Sequence, residues 1–221
     1  MSEPLAERMR PRTLADYVGQ KHLVGEGAVL RKMIDAGRIS SFILWGPPGV
    51  GKTTLAQIVA QTLQVPFYTL SAVTSGVKDV REVIERAKSG RFFNSASPIL
   101  FIDEIHTIMG IGAAEGAVDA ANIMKPKLAR GELQVIGATT IAEYRKTIEK
   151  DGALARRFQS VLVEEPTEEQ TMAILRGLCP RYEQHHGMII TEDALEAAIR
   201  LSVRYLSLIH ISEPTRLRCI S

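Results

Sequence analysis

Short apolar blocks alternate along this chain with stretches whose apolar positions recur every three or four residues. The runs SFILWG (41–46), PFYTL (66–70), PILFID (98–103) and ELQVIGATT (132–140) are strand-sized. The most apolar of them suit strands buried on both faces. Between them the spacing predicts a helix from about Lys52 to Leu63 and another through VKDVREVIERAK (77–88). A third is predicted over EGAVDAANIMKPKLARG (115–131), where Pro126 interrupts it. Two short helical pieces then lead to QSVLVEEP (159–166). Strand, helix and strand repeated in this order predict an α/β fold, a parallel sheet flanked by helices.

After Pro166 the pattern turns helical. In TEEQTMAILRGL, Thr167 followed three residues later by Gln170 forms a capping box. TEDALEAAIRLSVRY opens with Thr191 ahead of an acidic first turn. The expected organisation is an α/β domain over 1–165, a partial helical lid over 166–206, and a tail over 207–221. In that tail Ile209, Ile211, Leu217 and Ile220 define no single face.

Composition narrows the classes. The 221 residues suffice for a real core without disulfide or metal staples. With 27 basic and 25 acidic side chains the net charge is +2, which argues against a dedicated nucleic-acid or membrane surface but leaves room for a local patch. Cys179 and Cys219 stand far apart in no ligand-like spacing. With no signal peptide in view, they point to a soluble protein of the reducing cytoplasm. No apolar run approaches a membrane span.

The chemistry concentrates in two places. Gly46-Pro47-Pro48-Gly49-Val50-Gly51-Lys52-Thr53-Thr54 has the form G-x-x-x-x-G-K-[ST], with an apolar strand before it and an amphipathic helix after it. Glycines let the backbone wrap so that successive N–H groups face phosphate oxygens. Lys52 is expected to reach the β- and γ-phosphates of ATP, and Thr53 to hold Mg²⁺. The helix after the loop offers its N-terminus to the anion. ILFIDE (99–104) supplies the partner element: a buried strand that delivers Asp103 and Glu104 to the crevice at its end. Asp103 is expected to hold Mg²⁺ through water and Glu104 to polarise the attacking water. The plainer alternative is an acidic helix cap after a core strand. Thr140 closes a strand expected beside the phosphate strand, where a hydroxyl can sense the γ-phosphate or simply satisfy the strand end. His106 reads as a packing or polar contact rather than a base. His185, His186 and Cys179 lack a fourth ligand for a metal site.

These residues resemble the AAA+ ATPase family, and the resemblance divides. AERMRPRTLADYVGQKHLVGEGAVLRKMIDAGRISSFILWGPPGVGKTTLA and SAVTSGVKDVREVIERA resemble the bacterial replication-associated recombination ATPases, clamp-loader-like proteins, over about residues 4–106. That likeness implies DNA at replication or recombination intermediates as partner, and places Tyr17, Val18 and Gly19 near the adenine pocket. From Thr107 to about residue 207, GAAEGAVDAANIMKPKLARGELQVIGATTIAEYRKTIEKDGALARRFQSVLVEEPTEEQTMAILRGL and its continuation resemble the first ATPase module of Clp-type unfoldases and disaggregases. This half implies unfolded protein as substrate. ILFIDEIH fits both families, so the switch falls near residue 106.

By the second likeness Arg156 and Arg157 in LARRF match arginine fingers, which act on ATP held by a neighbouring subunit and imply a homo-oligomeric ring; Ala155 stands where the family often has Glu. The aromatic-Gly loop with which Clp-type unfoldases grip polypeptide has no counterpart in SAVTSGVKDVRE (71–82). SLIHISEPTR in the tail resembles translated sequencing-adapter DNA, which together with the switch implies a chimera. A chimera would fold, since apolar side chains of about the right volume suffice. It would assemble and turn over poorly, because its ring faces were never matched.

Overall fold

The computed structural model describes residues 5–71 except 15, 18 and 38, together with 82, 85, 98–109 and 134–205. The helix expected at 115–131, most of that expected at 77–88, the loop proposed as gripless and the tail lie outside the described residues. Three short N-terminal helices, α1 (Leu5–Met9), α2 (Lys21–Val24) and α3 (Val29–Asp35), precede β1 (Phe42–Trp45) and α4 (Lys52–Thr62). Then come β2 (Phe67–Ser71), β3 (Ile99–Asp103), α5 (His106–Met109) and β4 (Gln134–Thr139). A single helical turn, α6 (Ile141–Glu143), runs into a π-helical turn (Tyr144–Ile148), followed by α7 (Gly152–Ala155) and β5 (Gln159–Leu162). The helices α8 (Glu168–His186) and α9 (Glu192–Tyr205) follow the sheet.

All five strands are parallel, in the order β2-β3-β4-β1-β5. Residues from either side of position 106 therefore alternate within one sheet: β4 pairs with both β3 and β1, and β5 with β1. Side chains alternate across a strand, and here both faces are buried. Ile43, Leu100, Ile102 and Val135 pack on one face against Ile105 just before α5, Ile108 of α5, Ile148 of the π turn, Leu154 of α7 and Phe158 just after it. Phe42, Leu44, Ile99, Phe101, Ile136 and Ala138 pack on the other against α2, α3 and α4 through Leu23, Leu30, Ile34, Leu55 and Val59. Helices thus cover both faces of the sheet.

The capping box forms as the sequence predicts: Gln170 N–H donates to Thr167 Oγ1 at 3.2 Å, and Thr167 N–H donates to Gln170 Oε1 at 3.1 Å. Thr191 Oγ1 accepts from Ala194 N–H at 3.3 Å. The helix that the apolar pattern carries to about Leu178 in fact runs through Gly177 and Pro180 to His186. Proline removes one donor from the helical ladder, a local loss that packing along the rest of the helix can offset. The helix stops at Gly187, whose φ of 66° closes a left-handed cap.

Candidate nucleotide site

The phosphate loop spans the gap between β1 and α4. Gly49 and Gly51 adopt φ of 79° and 90°, a left-handed conformation that glycine reaches without steric cost and that turns the loop back on itself. Gly46 is held for a different reason: a Cβ there would collide with the carbonyl oxygen of Val163 and lie 3.1 Å from its carbonyl carbon. Lys52, Thr53 and Thr54 form the first turn of α4, whose unpaired N–H groups face the loop.

Lys52 folds over the loop, donating from Nζ to the carbonyls of Pro47 at 2.6 Å and Gly46 at 3.1 Å. Burial lowers the pKa of its ammonium, and the fields of Asp103 and Glu104 oppose that shift. Both carboxylates are thus near enough to Lys52 for it to feel their charge. Asp103 ends β3, and its Oδ1 accepts the N–H of Glu104 at 3.1 Å. Glu104 itself takes φ of 55°, a strained setting for a residue with a side chain.

Thr53 and Asp103 are hard oxygen donors of the kind Mg²⁺ takes. Among the described residues no group of three or more His, Cys, Asp or Glu could hold a metal. The donor set therefore fits an ion shared with phosphate oxygens rather than caged by protein alone, the usual arrangement for Mg²⁺ beside a nucleotide.

Thr140 follows the last residue of β4. Thr139 is paired in register with Trp45, and its carbonyl accepts Gly46 N–H at 3.3 Å. This places Thr140 beside the root of the phosphate loop. Its Oγ1 is already engaged as the N-cap of α6, accepting from Glu143 N–H at 3.3 Å.

Arg156 and Arg157 are not brought to the loop. They are exposed just after α7 and two to three residues before Gln159, which pairs with Phe42 at the start of β1. The phosphate loop leaves the other end of that strand. In a parallel sheet the two sites therefore lie at opposite ends of the strands, separated by about 10–13 Å of strand.

Tyr17 packs against the loop: a Cβ on Gly51 would meet its Oη at 3.4 Å. Burial pushes the Tyr17 phenol pKa up. Gly19 lies against the side chain of Gln170 at the start of α8. Val18 is outside the described residues.

Sequence reasoning missed Gln20. This buried residue, with φ of 51°, donates from Nε2 to Glu164 O at 2.6 Å and accepts from Glu164 N–H at 3.3 Å. It clips the N-terminal segment to the chain leading into α8, and nothing in the local pattern announces a partner 144 residues away. Arg181 of α8 adds a second tie, donating to the carbonyls of Met9 at 3.3 Å and Arg8 at 3.4 Å. Also missed was the stack of Trp45 on Tyr144, with ring centroids 4.6 Å apart, which joins the loop's root to the π turn. The indole Nε1 of Trp45 is buried without a hydrogen-bond partner.

Comparison with known proteins bears on these residues directly. The ATPase family associated with various cellular activities (AAA) matches residues 42–165, and an AAA lid domain matches 167–210. The chain is 52% identical to the chaperone protein ClpB of Aquifex aeolicus over 75% of its own length and 18% of that protein's. It is 51% identical to the ATP-dependent Clp protease ATP-binding subunit ClpC of Staphylococcus epidermidis, again over 75% of its length and 22% of the relative's. It thus spans about a fifth of the length of these relatives. Among solved structures, the S. cerevisiae Hsp104–casein complex in its extended conformation superposes with a TM-score of 0.68 at 36% identity, covering 94% of this chain and 38% of that one. A Thermotoga maritima RuvB variant superposes with a TM-score of 0.67 at 23% identity, covering 92% of this chain and 63% of that one, a likeness of fold alone.

Proposed function

The chain belongs to the AAA family of ATPases, and from that premise we propose that it is one ATP-hydrolysing module of a Clp-type machine acting on unfolded protein. One observation carries the choice of substrate class. The Clp-type relatives align over three quarters of the chain, which is more than everything from Thr107 to the C-terminus. The likeness therefore crosses the switch near residue 106. The replication and recombination reading, with DNA as partner, rests on residues 4–106 alone. With a Clp-type likeness on both sides of the switch, the argument for mismatched ring faces loses its premise.

In this reading the residues divide the work. Backbone N–H groups of the loop and the start of α4 hold the phosphates, and Lys52 leaves the carbonyls of Gly46 and Pro47 to neutralise them. Thr53 and Asp103 would hold Mg²⁺, which would supply charge neutralisation to the phosphates. Glu104 orients the attacking water and takes its proton. Thr140, at the root of the loop, contacts the γ-phosphate. Arg156 and Arg157, at the opposite ends of the strands, serve ATP bound by a neighbouring copy in a ring.

The test is ATP turnover with Mg²⁺ measured alone, with casein and with DNA. Stimulation by casein and indifference to DNA are expected. Stimulation by DNA with indifference to casein would overturn the substrate class in favour of the recombination reading.

A further inference from the structure

We propose that His106 is a positioning residue for Glu104, tying the carboxylate that activates water to the end of β4. The proposal deepens the hydrolytic reading above and rests on it. His106 opens α5, and its largely buried ring meets three elements at once. Nδ1 lies 2.9 Å from Thr139 Oγ1 and 3.4 Å from Glu104 Oε2, while Nε2 lies 4.0 Å from Glu143 Oε2. One imidazole thus touches the side chain of the base, the last residue of β4, and the turn that Thr140 caps.

Geometry around Glu104 explains why such a tether matters. A left-handed φ at a non-glycine residue is strained and persists only when its surroundings hold it. Here they do: Glu104 N–H donates to Asp103 Oδ1, and Glu104 O accepts from Thr107 N–H at 2.9 Å and from Thr107 Oγ1 at 3.0 Å. Every polar atom of the Glu104 backbone is therefore fixed. Its side chain, 40% exposed, has three rotatable bonds, and His106 Nδ1 lies 3.4 Å from its Oε2. With its hydrogen on Nδ1, the imidazole shares that one N–H between the buried Thr139 Oγ1 and Glu104 Oε2, which restricts the carboxylate and leaves one oxygen for water. Thr139 also accepts Gly46 N–H through its carbonyl, so the tether runs to the phosphate loop itself.

Losing the tether should slow the chemical step without weakening ATP binding, because misplacing a reacting group by about 1 Å costs on the order of 10²-fold in rate. His106→Ala is expected to lower kcat about 10- to 100-fold while KM and ATP affinity stay within about threefold. The amide nitrogen of asparagine falls near the position of Nδ1, that of glutamine near Nε2. His106→Asn should therefore recover turnover to within about threefold of wild type, and His106→Gln should resemble His106→Ala. In a Glu104→Gln background His106→Ala should add no further loss. Unchanged kcat in His106→Ala, equal behaviour of the Asn and Gln variants, or a parallel fall in ATP affinity would each overturn the proposal. Failure of wild type to hydrolyse ATP would instead sink the parent reading. A measurement independent of turnover keeps the two apart: the His106 ring ¹⁵N resonances should move in Glu104→Gln and in Thr139→Val. Resonances unmoved by both substitutions would overturn the tether.

Discussion

Gly46→Ala isolates the close approach between the root of the phosphate loop and the strand that leads into α8. The added methyl would overlap the carbonyl oxygen of Val163 and lie 3.1 Å from its carbon and 3.5 Å from its Cβ. Two of these three neighbours are backbone and cannot rotate away, so relief requires the end of β1 to move by about 1 Å relative to Val163. That movement strains the bond from Val163 N–H to Trp45 O, now 2.9 Å, and the bond from Gly46 N–H to Thr139 O. Overpacking costs about 1–3 kcal/mol and a lost backbone hydrogen bond about 1 kcal/mol, for a destabilisation of roughly 3 kcal/mol. For a domain of this size that corresponds to a fall in Tm of about 6–12 °C.

Gly137→Ala is the comparison: the three atoms nearest its methyl would all belong to the Ile105 side chain, at 2.6 Å from Cδ1, 3.0 Å from Cγ2 and 3.3 Å from Cβ. There the cost falls on a core side chain, about 1–3 kcal/mol, and the loop is untouched. Trp45 is the one tryptophan, stands next to Gly46 and stacks on Tyr144, so its fluorescence reports nucleotide binding in the same samples used for melting. Gly46→Ala should lower Tm and weaken ATP binding by an order of magnitude or more, whereas Gly137→Ala should lower Tm alone. A Gly46→Ala protein that melts with wild type and binds ATP within twofold would refute the reasoning.

Three further outcomes are expected. Lys52→Ala should abolish ATP binding in a fluorescence titration, while Glu104→Gln should bind ATP normally and hydrolyse it far more slowly; equal affinity in the first, or wild-type turnover in the second, would move those roles elsewhere. Arg156→Ala with Arg157→Ala should retain ATP binding but lose turnover, about 10³–10⁵-fold by the cost of a missing finger in related NTPases. Mixing that variant with Lys52→Ala should restore activity if the fingers serve a neighbour's site, and a mixture no more active than its parts would place them in the protein's own site or in none. Since residues 71–82 contain no aromatic side chain, a folded tagged reporter should survive incubation with this chain and ATP, and its ATP-dependent unfolding would show a grip of another kind.

The elements that the sequence announced are those whose signals are local. Apolar runs located β1 to β4 to within a residue or two, whereas the run at 159–166 begins with β5 but overshoots its end at Leu162. The spacing of Gly46, Gly51, Lys52 and Thr53 was legible because a phosphate loop is built from consecutive backbone, as were the caps at Thr167 and Thr191, which reach three residues ahead. The far half of α8, through Pro180 to His186, was not legible in the apolar pattern that ends near Leu178.

Contacts between distant segments belong to the tertiary structure alone. Gln20 and Glu164 meet because the N-terminal segment crosses back to the end of β5, and neither residue carries a mark of it. Arg156 and Arg157 could be spotted as a pair, but only the parallel pairing of β5 with β1 put them at the strand ends away from Lys52. His106 looked like an ordinary polar neighbour of an acidic pair. Placing β4 between β3 and β1 brought Thr139 and Glu143 to its ring, and the left-handed turn at Glu104 aimed the carboxylate at the same imidazole. Sequence periodicity determines which residues are buried and on which face. Strand order, which depends on the energy of the whole packed sheet, decides which of them share a site.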